Sequence, residues 1–117
     1  MSGELILIIE DNLKNLKLVR DVLQFHGYLT LEAETGEAGV TLARERRPAL
    51  ILLDVQLPDF DGFEVASRLT GNGGGPTVVL TSSRDAADFG PLVGRCGASA
   101  FVPKAELSGA ALKAVLP

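Results

Sequence analysis

The sequence predicts an α/β sandwich, doubly wound around a mostly parallel sheet, and three observations lead there. Short aliphatic runs of strand length alternate with amphipathic stretches of helix length along the chain. The runs Leu5–Ile9 and Leu50–Leu53 are apolar without alternation, the mark of strands covered on both faces. Both end abruptly in acid, Glu10-Asp11 after the first and Asp54 after the second.

Leu5 to Ile9 is too short for a helix and reads as the first strand. Leu13, Leu16, Val19, Val22 and Leu23 then fall close to helical spacing and Gly27 marks a stop, so a first helix presents these residues as its apolar face. Leu29 to Ala33 is the second strand. Thr35 can cap a second helix with an apolar face of Ala38, Val40, Leu42 and Ala43, which carries Arg44, Arg46 and Arg47 near its end and stops at Pro48. Leu50 to Leu53 is the third strand, running straight into Asp54. Asp61, with Glu64 three residues on, opens a third helix from about Gly62 to Leu69, and Gly71 to Gly75 make a loop. The β-branched run from Thr77 to Leu80 is the fourth strand and leads into Thr81-Ser82-Ser83. Asp85 to Cys96 looks helical, but Gly90-Pro91 interrupts it, so this helix should be short or irregular. Ala100 to Val102 is a brief fifth strand ending in Pro103-Lys104, and Ser108 can cap a last helix that stops at Leu116-Pro117. Residues 1–117 read as one domain.

The 117 residues carry 11 Lys or Arg against 15 Asp or Glu, a net charge of −4. Such a chain has no general attraction to nucleic acid or to an anionic membrane surface. No apolar run nears the roughly 20 residues of a membrane span, and Met1-Ser2-Gly3-Glu4 lacks the basic start of a signal peptide, so a cytoplasmic setting is expected. One cysteine, Cys96, excludes an internal disulfide, and one histidine, His26, excludes the usual zinc clusters. Cys96 reads as a buried small residue and His26 as a solvent-facing helix end.

In an open parallel sheet the ligand site lies beyond the carboxyl ends of the strands. Here those ends are Glu10-Asp11, Asp54, Thr81-Ser82 and Lys104, while the second strand contributes nothing obvious. Three carboxylates brought together repel one another unless a cation sits among them, and a hard divalent ion such as Mg²⁺ answers that need. A carboxylate flanked by Mg²⁺, an ammonium and a hydroxyl is equipped to attack phosphorus and to hold the transferred oxygens. Taken singly, each residue has a plainer use: the acids as a helix cap, Lys104 as a surface lysine, Thr81 as a β-former, Phe101 as a partly buried strand aromatic. Their joint placement favours the chemistry.

At this point the sequence resembles the response-regulator receiver domain of two-component signalling over essentially its whole length. The resemblance rests on Glu10-Asp11 after an aliphatic strand, Leu52-Leu53-Asp54-Val55-Gln56-Leu57-Pro58 followed by Asp61-Gly62, Thr81-Ser82 after the fourth strand, and Gly97-Ala98 with Phe101 three residues before Lys104. It implies a flavodoxin-like (βα)5 fold with strand order 2-1-3-4-5 and a phospho-acceptor at Asp54. It further implies that Asp11, Asp54 and the Gln56 backbone carbonyl bind Mg²⁺, that Glu10 acts through bound water, and that Thr81 and Lys104 contact the phosphoryl group. Phe101 is then the aromatic switch residue, and Gln56 and Ser83 tune the lifetime of the phosphate. The implied partners are a histidine kinase or phosphotransfer protein and a downstream protein or fused output domain, with the chain a monomer or a phosphorylation-dependent dimer. The implied chemistry is self-catalysed phosphorylation followed by slow self-dephosphorylation.

Two features depart from a uniform pattern. Proline precedes the lysine, as Pro103-Lys104-Ala105, where the family commonly has it after. Up to about Gly62 the sequence is similar to stand-alone receivers, whereas Ser82 to Asp85 and Phe101 to Ala105 are similar to receivers attached to helix-turn-helix domains, so a recombined or engineered chain joined between Asp59 and Pro76 is one expectation. A degenerate receiver that only binds partners is the main alternative, and the intact set Asp11, Asp54, Thr81 and Lys104 argues against it. An aspartyl-phosphate phosphatase of the haloacid dehalogenase type would need an aspartate at the position of Gln56 and a cap domain. A flavodoxin-like cofactor module is disfavoured because the acids would repel an FMN phosphate.

Overall fold

The computed structural model describes residues 3–71, 75–84, 86–107 and 110–117. Its elements are β1 (Leu5–Ile9), α1 (Leu13–Phe25), β2 (Leu29–Ala33), α2 (Gly36–Arg46), β3 (Leu50–Asp54), α3 (Gly62–Thr70), β4 (Thr77–Ser82), α4 (Leu92–Arg95), β5 (Ala100–Pro103) and α5 (Ala110–Val115), with 3-10 turns over Ala86–Phe89 and Lys104–Glu106. All strand pairs are parallel and the order is β2-β1-β3-β4-β5, as expected.

The aliphatic strands are buried on both faces because alternate residues enter different layers. Leu7, Ile9, Ile51, Leu53, Val78 and Leu80 pack with Val40 and Ala43 of α2 and Val65 and Ala66 of α3. Ile6, Ile8, Leu50, Leu52, Val79 and Val102 pack with Leu16, Val19 and Leu23 of α1 and Leu112 of α5. Residues Ile6 to Ile9 and Ile51 to Leu53 are at most 1 % exposed. Each such side chain contributes roughly 1.5–3 kcal/mol by leaving water, so these strands fix the sheet that carries the site.

The helices correct the sequence reading in detail. Leu13 is 65 % exposed and belongs to no core, since α1 begins there under its cap, Asn12, which accepts from the Lys14 and Asn15 amides. On α2 the buried residues are Gly36, Gly39, Val40 and Ala43, while Ala38 is exposed and Leu42 half-buried. A Cβ on Gly39 would come within 2.3 Å of Ile9 Cδ1, so the missing side chain lets α2 settle onto β1. The third helix starts at Gly62 under Asp61, whose side chain accepts from the Glu64 amide, and runs through Thr70. Thr81 and Ser82 lie within β4, and Pro103 within β5. The fourth helical segment is broken as expected, a 3-10 turn followed by a single helical turn. Asp85, the proposed cap Ser108 and residues 72–74 of the glycine loop lie outside the described residues. Cys96 is buried and His26 exposed, as anticipated. Among the described residues no helix is long and apolar enough to cross a membrane.

Candidate functional site

Because β1, β3, β4 and β5 are neighbours running the same way, their carboxyl ends share one edge of the sheet. Asp54 and Thr81 are register partners, and Thr81 pairs with Val102, two residues before Lys104. The sheet thus brings Glu10, Asp11, Asp54, Thr81 and Lys104 together from four strand ends. Glu10 and Asp54 are each 2 % exposed, whereas Asp11 stands at the rim in solvent.

Oxygens of Glu10, Asp11 and Asp54 lie within 4.8 Å of one another. The Lys104 ammonium lies 3.0 Å from Glu10 Oε1 and 3.3 Å from Asp54 Oδ2. Proline ahead of the lysine does not misdirect it: Pro103 completes β5, and the 3-10 turn that follows starts at Lys104 itself. The second Asp54 oxygen accepts from the Gln56 amide at 3.1 Å, and Glu10 Oε2 accepts from the Asn12 amide at 3.1 Å. Burial pushes the Glu10 carboxyl up to about 7, helped by the adjacent Asp54 carboxylate and opposed by Lys104 and the Asn12 amide. Burial also works against the Lys104 ammonium, but Glu10 and Asp54 outweigh it and hold its pKa above the ordinary value.

Three carboxylates around one ammonium leave net negative charge, and an all-oxygen donor set of this kind suits a hard divalent cation. Glu10, Asp11 and Asp54 therefore fit a metal site. Thr81 adds a different observation: its hydroxyl is buried and has no hydrogen-bond partner among the described residues. A buried, unpaired hydroxyl costs about 1–3 kcal/mol and marks a place where an acceptor is missing.

The loop from Val55 to Asp61 follows the Asp54 strand directly. A bridge between Gln56 and Asp61 closes it, and the Gly62 amide donates to the Val55 carbonyl at 2.6 Å. A Cβ on Gly62 would lie 2.5 Å from the Asp54 carbonyl oxygen, so glycine is required for this close approach. Gln56 and Ser83 are both exposed. Phe101 is half-buried, its ring 6.1 Å from that of Phe89, which in turn lies 5.3 Å from Phe63. One residue of this region escaped the sequence reading. Asp59 accepts from the first two amides of α2, which lie 23 and 22 residues away, and its neighbours Pro58 and Phe60 give no sequence signal of that contact.

A family model described as the response regulator receiver domain matches residues 6–116. The polar-differentiation response regulator DivK of Brucella anthropi is 47 % identical over 64 residues, 55 % of this chain and 52 % of that protein. DivK of Brucella ovis is 45 % identical over the same shares. The chain thus spans about half the length of the curated relatives it matches. Among solved structures, a LuxR-family two-component response regulator from Aurantimonas sp. superposes with a TM-score of 0.86 at 21 % identity, covering 97 % of this chain and 82 % of that one. The chemotaxis response regulator CheY4 of Vibrio cholerae superposes with a TM-score of 0.85 at 20 % identity, covering 97 % and 99 %. At these identities the superpositions speak to the fold.

Proposed function

The chain belongs to the response regulator receiver domain family, and on that footing we propose that it is a phosphorylation-driven switch whose phospho-acceptor is Asp54. The observation that carries this reading is the pair flanking Asp54: the Lys104 ammonium at 3.3 Å and the buried Thr81 hydroxyl, which lacks an acceptor among the described residues. A phosphoryl group on Asp54 would give the hydroxyl an acceptor and the ammonium a further anionic one.

In the proposed reaction an Asp54 carboxylate oxygen attacks the phosphorus of a phosphohistidine on a histidine kinase or phosphotransfer protein. The new P–O bond forms as the P–N bond breaks, leaving the bonding pair on the imidazole nitrogen. Lys104 exchanges its carboxylate contacts for a phosphoryl oxygen, and Thr81 donates its O–H to another. Mg²⁺, held by Asp11, Asp54, the Gln56 carbonyl and, through water, Glu10, would supply the charge that offsets the carboxylates and the phosphoryl oxygens. Slow self-dephosphorylation follows when water attacks the phosphorus: a new P–O bond forms, the bond to the Asp54 oxygen breaks, and inorganic phosphate leaves Asp54 as a carboxylate, at a rate that Gln56 and Ser83 at the rim tune.

The added group carries about −1.5 to −2 charge, enough to draw Thr81 and Lys104 toward it. Phe101 then turns into the space Thr81 leaves, and the surface formed by α4, β5 and α5 changes shape for a downstream protein, a fused output domain or a second copy. The setting proposed is cytoplasmic.

Intact mass after incubation with acetyl phosphate tests this. One added phosphoryl group that requires both Mg²⁺ and Asp54, and is absent in Asp54→Asn, is the expected result. No modification of the folded, Mg²⁺-binding chain would favour a degenerate or engineered receiver that keeps the fold without the chemistry.

A further inference from the structure

The first four amides of a helix need acceptors from outside it, and those of α2 draw on two sources. Thr35 serves the third and fourth locally, its side chain accepting from Ala38 at 3.1 Å and its carbonyl from Gly39 at 3.0 Å. The first two, Gly36 and Glu37, donate instead to Asp59, at 2.8 and 3.0 Å, across 23 and 22 residues of sequence. Asp59 belongs to the loop that follows Asp54 and carries Gln56. Both of its carboxylate oxygens are used, and the amides hold its carboxyl below the ordinary range.

The contact is close as well as polar. A Cβ on Gly36 would lie 2.8 Å from Val65 Cγ2 and 3.2 Å from Asp59 Oδ1, so the start of α2 seats directly against the loop and α3. The near end of the loop is pinned by the Gln56–Asp61 bridge and by Gln56 donating to Asp54. Its outer tip, where Pro58 and Asp59 are exposed, is tied to the body through Asp59.

We propose that Asp59 is a positioning residue, tying the loop after Asp54 to the start of α2 so that the Gln56 backbone stays placed for the divalent cation. This rests on the function proposed above and deepens it: Asp59 sets Mg²⁺ affinity and phosphoryl lifetime without touching either group. Linkage makes the tie reciprocal, so metal binding should in turn steady the Gly36 and Glu37 amides.

The test compares the full chain with Asp59→Ala, Asp59→Asn and Thr35→Ala, using Mg²⁺ calorimetry, intact-mass decay of the phosphorylated form, and amide hydrogen exchange. Asp59→Ala should weaken Mg²⁺ binding about ten-fold, the size expected when a residue behind a metal ligand is lost. It should also abolish the Mg²⁺-induced slowing of exchange at Gly36 and Glu37. Asp59→Asn keeps one of the two acceptor oxygens and should fall between Asp59→Ala and the wild type in both effects. Thr35→Ala removes a cap from the same helix end but leaves the loop tied, and should keep wild-type affinity. Equal losses in Asp59→Ala and Thr35→Ala, or none in Asp59→Ala while the wild type binds Mg²⁺, would overturn the positioning role alone. A wild type that takes no Mg²⁺ would overturn this role and the proposed function together.

Discussion

With Lys104 removed, Glu10 and Asp54 would face one another, each 2 % exposed, without the cation that now lies 3.0 and 3.3 Å from them. Breaking a buried charge pair on one side costs about 3–5 kcal/mol, because the remaining charge keeps its burial and loses its partner. Lys104→Ala is therefore expected to destabilise the metal-free protein by about 3 kcal/mol in urea unfolding at pH 8, with millimolar Mg²⁺ restoring part of the loss. Glu10 adds a pH dependence with a definite sign. Its folded pKa of about 7 lies above the ordinary 4.5, so the folded state binds the proton more tightly than the unfolded one. Its contribution to stability is fully present below pH 4.5 and is lost as the pH rises through about 7. Metal-free wild type should thus gain stability between pH 8 and 5, and Glu10→Gln should flatten that slope. Because a metal needs the carboxylate, Mg²⁺ affinity should run the other way and fall as the pH drops through about 7. Calorimetric titrations at pH 8 and pH 6 would check it.

At the scale of elements, the loop after β3 depends on Gly62. The Cβ of Gly62→Ala would meet the Asp54 carbonyl at 2.5 Å and the Val55 Cα at 2.6 Å, both backbone atoms that cannot swing aside. The loop must shift, and chemical denaturation should show a loss of about 1–3 kcal/mol, the usual range for overpacking. The same scale shows why some elements were readable from sequence and others were not. The strands β1 and β3 were legible because burial on both faces leaves an unbroken aliphatic run, and parallel topology sends the acids that follow them to one edge. The buried face of α2 was legible only in part: Val40 and Ala43 were read from the sequence, but the other half is Gly36 and Gly39, which bury backbone and give no apolar signal. Asp59 was missed for a related reason: its partners are backbone amides 22 and 23 residues away, and amides carry no side-chain identity. That the Thr81 hydroxyl meets no acceptor among the described residues was likewise invisible, because sequence names a donor but not whether an acceptor reaches it.

Across the whole molecule, the proposed switch depends on how unevenly the fold is held. The centre of the sheet is fully buried, whereas the segment from Ala86 to Arg95 is one 3-10 turn and one four-residue helix separated by Gly90-Pro91. Helices that short have no stability of their own, so packing holds this segment, with Cys96 buried and Phe89 half-buried. Phe89 stands between Phe63 on α3 and Phe101 on β5, so a turn of the Phe101 ring removes one of its two aromatic neighbours. Regions of low local stability respond first when a few kcal/mol are redistributed, and a phosphoryl group drawing on Thr81 and Lys104 acts at both strands that border this segment. Amide exchange across Ala86 to Pro103 should therefore change on phosphorylation of the wild type while β1 and β3 stay protected. Thr81→Ala should still accept the phosphoryl group from acetyl phosphate, because Asp54 remains the nucleophile, yet its exchange over the same residues should stay as in the unmodified protein. Identical exchange changes in wild type and Thr81→Ala would mean that the signal leaves the site by a route other than the Thr81 hydroxyl.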